Sequence, residues 1–181
     1  MIQIITGPMF ANKSTGLLNH IEYFKHIGKK RIYYISTSES ISARNREPIF
    51  ANAFPINLNI NEYTEYIDAF KLYNMEVVII DEAQFFGSWI IDFCFKLRLN
   101  NIEVVVAGLD MDAHGNPFGY MGQLMCIADK VEKKKAVCEI CKEEAAFTIK
   151  KNDSPEIISI GKGDKYSPRC TEHLNTSGGM N

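Results

Sequence analysis

Residues 7–14 read Gly7-Pro8-Met9-Phe10-Ala11-Asn12-Lys13-Ser14, directly after the apolar run Ile2-Gln3-Ile4-Ile5. Set against the Walker A pattern G-x-x-x-x-G-K-[ST], the leading Gly, the Lys and the Ser are in register, and Asn12 stands where the second Gly belongs. The context is the one the pattern needs: a short buried strand, a loop opened by glycine, then a helix expected over Ser14–His26. In such a turn the backbone N–H groups of Gly7, Pro8-flanking Met9, Phe10, Ala11, Asn12 and the helix start wrap a polyphosphate, and the lysine ammonium reaches the β/γ oxygens. Ser14 supplies a hydroxyl for Mg²⁺; Thr15 extends the same N-terminus but stands one position out of register for that ion. Asn at the sixth position is a tolerable departure, because Asn is among the non-glycine residues that best accept a positive φ.

Working outward, four apolar runs do not alternate: Ile2–Ile5, Arg31–Ile35, Val77–Ile80 and Val104–Ala107. Runs of this kind suit strands covered on both faces of a parallel sheet. Helical patterns over 14–26, 64–73 and 88–100 separate them, so the expected fold is α/β, a P-loop parallel sheet with helices on both faces. Gly28 is placed to end the first helix. Trp89, Ile90, Phe93, Phe95, Leu97 and Leu99 make the third helix apolar on more than one side, and we expect it to be well buried. Residues 36–61, polar and interrupted by Pro48 and Pro55, are expected to hold a loop and one more short strand.

The run Val77-Val78-Ile79-Ile80 ends in Asp81-Glu82. An apolar strand closing on adjacent acids is a Walker B arrangement, in which Asp81 would hold Mg²⁺ directly or through water. Glu82, one residue on, would accept a proton from a hydroxyl nucleophile as general base. Farther along stand Cys138-x-x-Cys141 and Cys170-x-x-His173. Three thiolates and one imidazole at this spacing fit a closed, structural Zn²⁺ site. The segment between the two knuckles, including Pro155–Tyr166, reads as a strand entering a Gly-flanked turn, stapled at both ends. We place the P-loop domain at 1–135, with a boundary near Val131–Ala136, a zinc-stapled lasso domain at 136–175 and a disordered tail at 176–181. Cys94 and Cys126 fall in apolar settings and are expected in the core; His20 and His26 are read as surface helix residues.

Composition narrows the function classes. The 181 residues are 46% hydrophobic with a formal net charge of −2, and the pI is near 6.1. That balance disfavours a protein held on nucleic acid by bulk charge. No apolar run reaches the roughly 18–20 residues of a membrane span. The N-terminus lacks the pattern of a secretory signal. A cytoplasmic location is therefore expected, with the five cysteines as thiols or metal ligands rather than disulfides.

Taken together, these segments resemble the type II thymidine kinases. The resemblance spans nearly the whole chain in order: G-P-M-F-x-x-K-S-T at Gly7–Thr15, D-E-A-Q-F at Asp81–Phe85, G-L-D-x-D at Gly108–Asp112, P-F-G at Pro117–Gly119, I-G-x-x-D-x-Y at Ile160–Tyr166, and the set Cys138, Cys141, Cys170 and His173. It implies transfer of the ATP γ-phosphoryl group to the 5′-hydroxyl of thymidine with Mg²⁺, in nucleotide salvage for DNA synthesis, by a homotetramer. It also implies that Glu82 is the catalytic base, that Lys13, Ser14 and the loop amides form the phosphate cradle, and that Asp81 is the Mg²⁺ acid. Met9, Phe85, Leu109, Phe118 and Tyr166 match positions of the base pocket, and Ile157, Ser159 and Gly161 fall where lasso main-chain contacts to the base are expected. Gln84 matches the motif without a role that the sequence supplies.

Four departures stand out. Asn12 replaces the loop glycine. The segment Ile35–Asn45 lacks the family's Asp, leaving Arg44 as the candidate phosphate contact and Glu39 as a substitute acid. Ala113 stands where Phe is common, which would open one wall of the pocket, and His114 stands where Arg is common. They allow a kinase with shifted nucleoside preference, extending to deoxyuridine, or a relative that binds nucleotides without catalysis. The survival of Lys13, Ser14, Asp81 and Glu82 favours the kinase. A zinc-ribbon nucleic-acid binder is disfavoured by net charge and by the lack of a basic–aromatic stripe.

Overall fold

The computed structural model describes residues 1–36, 54–55, 63–151 and 165–174. Its centre is one six-stranded sheet. Strands β1 (Ile2–Thr6), β2 (Ile32–Ser36), β3 (Phe54–Pro55), β4 (Val77–Ile80), β5 (Glu103–Gly108) and β6 (Lys130–Lys133) lie in the order β3-β2-β4-β5-β1-β6. Every pairing is parallel. Helices α1 (Lys13–His26), α2 (Tyr63–Leu72), α3 (Trp89–Leu99) and α4 (Met121–Ile127) make the crossovers and cover the faces.

The reason the strand runs do not alternate is visible in the packing. Ile2, Ile4, Ile35, Val78, Ile80, Val104 and Val106 point to one face, against Ile67 and Phe70 of α2, Ile90, Phe93 and Leu97 of α3, and Met121 and Leu124 of α4. The residues between them, Ile5, Val77, Ile79, Val105 and Ala107, point to the other, against Leu17, Ile21 and Phe24 of α1. Both faces exclude water, so both parities must be apolar. Each fully buried Val, Ile, Leu or Phe contributes about 1.5–3 kcal/mol. The expected α/β sheet with helices on both faces is thus the observed one. Helix α1 ends as expected at Gly28, whose φ is 89°; its N–H and that of Lys29 close on Lys25 and Phe24 carbonyls, the two bonds of a Schellman-type cap.

Several expectations need correction. Phe95 and Leu99 of α3 are 43% and 66% exposed; the helix buries only the stripe of Trp89, Ile90, Phe93, Cys94 and Leu97, because a single sheet face covers it. Cys94 is buried but Cys126 is exposed, on the outward side of a short helix that sequence reading missed. Sequence reading also missed β6. Its residues are all exposed, and a charged segment gives no apolar run; lysines on an open edge also discourage stray strand pairing. The sheet therefore continues through Lys133, into the stretch read as a boundary. His20 is half-buried rather than a plain surface residue, facing a cleft of about 480 Å³ between α1 and β6. Burial lowers its pKa, with Lys130 and Lys134 adding to the effect and Glu132 opposing it.

Beyond β6 lie two antiparallel pairs, β7 (Ala136–Val137) with β8 (Glu144–Ala145) and β9 (Phe147–Lys150) with β10 (Tyr166–Arg169), followed by a single 3₁₀ turn at Thr171–His173. Arg169, buried, bonds Glu139 and Ser167, and Lys151 pairs with Glu139, so polar contacts as well as apolar ones hold these small sheets together.

Candidate active site

The loop between β1 and α1 takes a conformation that its residues can accept only in part by composition. Gly7 has φ 135°, and a Cβ there would lie 2.3 Å from the Lys134 carbonyl oxygen, so no side chain fits. Phe10 and Asn12 both take positive φ, 64° and 56°. Asn12 thus occupies the left-handed region that the replaced glycine would favour, and it does so as a residue that tolerates it. Its carbonyl accepts the Gly16 N–H at 3.1 Å, starting α1. Lys13 folds back across the turn: its ammonium donates to the Gly7 carbonyl at 3.1 Å and the Pro8 carbonyl at 2.7 Å. Ser14 and Thr15 occupy the first turn of α1, where backbone N–H groups project from the positive end of the helix.

Two contacts fasten this loop to the distal sheets, and neither was legible in the sequence. The Met9 N–H donates to the Thr148 hydroxyl on β9 at 2.8 Å. Ala11 is buried against Ala136, Cys138 and Ala145. A threonine in a short strand, 139 residues away in sequence, carries no local signal of such a role.

Asp81 and Glu82 follow β4 at the same, C-terminal edge of the sheet that carries the Gly7–Ser14 loop. Only β5 lies between β1 and β4, a separation of about 10 Å at ordinary strand spacing. Asp81 is 2% exposed; its Oδ2 accepts the Tyr34 hydroxyl at 2.8 Å and its Oδ1 the Glu82 N–H at 2.9 Å. Glu82 itself has φ 55°, a position that costs a non-glycine residue of order 1 kcal/mol and that clusters at functional sites. Its Oε2 accepts the Gln84 side-chain amide at 2.7 Å. Asp110, after β5 at the same edge, is 5% exposed and paired with Lys133 at 2.7 Å; no pattern in the sequence assigns either residue a task.

Of the expected pocket residues, Phe85 and Phe118 meet edge-on, with ring centroids 5.6 Å apart at 86°. Leu109 is held beside them through its N–H, which donates to Gln84 Oε1 at 3.0 Å. Met9 is half-buried in the loop, and Tyr166 is buried on β10, the partner strand of Thr148's β9. Ala113 and His114 lie in a turn braced by Asp112, whose Oδ1 accepts the His114 and Asn116 N–H groups. Arg44, Glu39, Ile157, Ser159 and Gly161 lie outside the described residues.

Cys138, Cys141, Cys170 and His173 converge, with all four ligand atoms within 4.8 Å of one another. The fit to a tetrahedral ion can be tested. Zn–S bonds of about 2.3 Å imply S···S edges of about 3.8 Å, and Cys141 and Cys170 sulfurs are 3.7 Å apart. His173 Nδ1 is 3.9 Å from Cys138 Sγ and 3.2 Å from Cys170 Sγ. Burial opposes ionisation of the Cys138 thiol, but N–H groups of Cys141, Cys170 and Ile140 outweigh it and bring its pKa down to about 6. For Cys141 the Glu143 N–H lowers the pKa, yet desolvation and the neighbouring sulfurs Cys138 and Cys170 leave it raised. Crowded sulfurs that resist joint ionisation are relieved by a cation, so the cluster can hold a metal such as zinc.

A parallel sheet with a Walker A-type loop after one strand and paired acids after another defines a P-loop nucleotide-binding protein, here with a Cys₃His cluster that could hold a metal docked on its loop. Comparison with known proteins narrows this. A family model described as thymidine kinase matches residues 1–174. The thymidine kinase of Bacteroides thetaiotaomicron is 35% identical over 94% of this chain and 85% of its own length. That of Choristoneura biennis entomopoxvirus is 34% identical over 99% of both chains, and that of Mycoplasma genitalium 33% over 94% of this chain and 81% of its own. The chain belongs to the thymidine kinase family.

Proposed function

We propose that the protein catalyses ATP-dependent phosphorylation of the 5′-hydroxyl of thymidine, with deoxyuridine as a second acceptor. The observation that carries the reading is the shared edge: the Lys13 loop and the Asp81–Glu82 pair end strands separated by one neighbour, in a chain whose relatives are thymidine kinases. Asn12 takes the left-handed backbone that glycine would favour at its position, which supports the kinase over a catalytically impaired relative, as do the thymidine kinase relatives.

In this reading the loop from Gly7 to Thr15 cradles the phosphates through its N–H groups, and the Lys13 ammonium, now on the Gly7 and Pro8 carbonyls, swings to the β/γ oxygens. Arg44 adds a phosphate contact. Ser14 and Asp81 would hold Mg²⁺, a fit supported by a buried carboxylate at the strand end; the ion, when bound, neutralises charge on the triphosphate. Glu82 takes the 5′-hydroxyl proton as that oxygen bonds to the γ-phosphorus and the bond to the ADP oxygen breaks. Met9, Phe85, Leu109, Phe118 and Tyr166 enclose the base, with Ile157, Ser159 and Gly161 offering main-chain contacts. A flat neutral base suits an apolar slot with few polar partners.

Zn²⁺ on Cys138, Cys141, Cys170 and His173 is structural, all four tetrahedral positions being filled. We further propose a P-loop domain at 1–135 and a zinc-bound lasso domain at 136–175, a homotetramer in keeping with the family resemblance, and a cytoplasmic setting, which suits a thiol-rich metal site. Among the described residues no helix is long and apolar enough to cross a membrane.

The test is transfer of labelled γ-phosphate to a panel of nucleosides. Thymidine should be the preferred acceptor, and Glu82→Gln should lower kcat by about 10²–10⁴-fold, as loss of a general base does, while thymidine and ATP still bind. Binding without turnover in the wild type would overturn the reading.

A further inference from the structure

The side chain of Gln84 is 3% exposed and spans the two sides of the site. Its amide nitrogen donates to Glu82 Oε2 at 2.7 Å, and its amide oxygen accepts the Leu109 N–H at 3.0 Å. This orientation is the only one that satisfies both partners, since a backbone N–H must meet an acceptor and a carboxylate a donor. The surroundings are cut to fit it. A Cβ on Gly108 would stand 2.8 Å from the Gln84 amide oxygen and 2.6 Å from Met121 Sδ; a Cβ on Gly119 would stand 2.2 Å from the Gln84 carbonyl oxygen. The ends of β5 and of the Pro117–Gly119 turn are therefore glycine where Gln84 passes. Glu82 takes a left-handed backbone, φ 55°, a conformation that persists only where its surroundings hold it.

We propose that Gln84 is the positioning residue of the phosphoryl-transfer step: its amide fixes the Glu82 carboxylate on the acceptor hydroxyl and, through the Leu109 N–H, ties that orientation to a wall of the nucleoside pocket. The proposal rests on Glu82 being the general base. A buried glutamine held at both ends is rigid, and rigidity is what a base needs; a misplacement of about 1 Å can lower a rate by roughly 10²-fold.

The experiment compares Gln84→Glu, Gln84→Met and Glu82→Gln in the full-length, metal-replete protein. Gln84→Glu keeps the shape and the acceptor for Leu109 but sets oxygen against oxygen at Glu82, whereas Gln84→Met removes both bonds. Both Gln84 variants should lose about 10–100-fold in kcat and in single-turnover rate, with KM for ATP unchanged and thymidine binding, read by isothermal titration, within about 3-fold. The double variant Glu82→Gln/Gln84→Glu exchanges donor and acceptor; it should recover thermal stability but not turnover. A structural role alone would leave Gln84→Glu at wild-type kcat, or lower binding and rate by the same factor, and either result overturns the proposal. If Gln84→Met does not fold, Gln84→Glu, the isostere, decides. Full turnover by Glu82→Gln sinks both the base assignment and the proposal. Loss in Glu82→Gln beside wild-type rates in the Gln84 variants sinks the proposal alone.

Discussion

Asn12 shows how much one residue's own physics dictates about its backbone. Its place in the loop demands a positive φ, glycine meets that demand freely, and Asn is the next most tolerant choice. The observed 56° agrees with that reasoning. Asn12→Gly should therefore bind ATP as the wild type does and shift stability by less than about 1 kcal/mol. Asn12→Val places a β-branched side chain in the left-handed region, at a cost on the order of 1–3 kcal/mol, and should lower Tm and raise KM for ATP together. Equal Tm values for the two variants would contradict the assignment of strain to this position. Phe10 stands in the same region, although phenylalanine has none of the tolerance for it that Gly and Asn share.

At the scale of elements, the joint between α1 and β2 carries a titratable brace. The N–H groups of Lys30 and Arg31 donate to Glu76 Oε2 at 3.0 and 3.2 Å, just before β4 begins. These bonds hold the Glu76 carboxyl below its usual range; desolvation opposes them, and the Lys29 and Arg31 charges add to them. A depressed folded pKa means that the unfolded chain takes up the proton first. The brace is thus fully present above the ordinary glutamate pKa of about 4.3 and is lost as pH falls through the lower folded value. The Tm gap between wild type and Glu76→Gln should be open at pH 7 and close as the pH drops toward 3. A gap that stays constant across that range would assign the effect to shape rather than charge. The apolar runs of β1, β4 and β5 were legible in the sequence because double-sided burial requires both residue parities to be apolar. Strand β6 was not, since an edge strand of Lys130, Val131, Glu132 and Lys133 is selected for exposure.

For the whole molecule, the Cys₃His cluster and the Gly7–Ser14 loop are fastened to one another. Cys138 shares a small buried cluster with Ala11, and Thr148 holds the Met9 N–H. Stripping the metal with a strong chelator should leave the sheet folded, with the far-UV signal of α1–α4 largely retained. It should release residues 138–173, and Met9 and Ala11 amides should lose hydrogen-exchange protection in step. ATP affinity should fall in the same titration and return when Zn²⁺ is restored. Simultaneous loss of the entire far-UV signal would show instead that the sheet depends on the metal for its own stability.

The amino-acid sequence determined on its own the parallel sheet, the loop at Gly7–Ser14, the acid pair at 81–82 and the Cys₃His set that could hold a metal. Each is a matter of spacing along the chain: a run covered on both faces, a turn that needs small or tolerant residues, two knuckles that each aim at one ion. The tertiary structure alone decided that Thr148 anchors Met9, that Lys133 pairs with Asp110, and that Gln84 threads between Gly108 and Gly119 to reach Glu82. Those contacts join residues far apart in sequence through the space left between packed elements. No local pattern encodes that space, because it exists only once strands and turns stand beside one another.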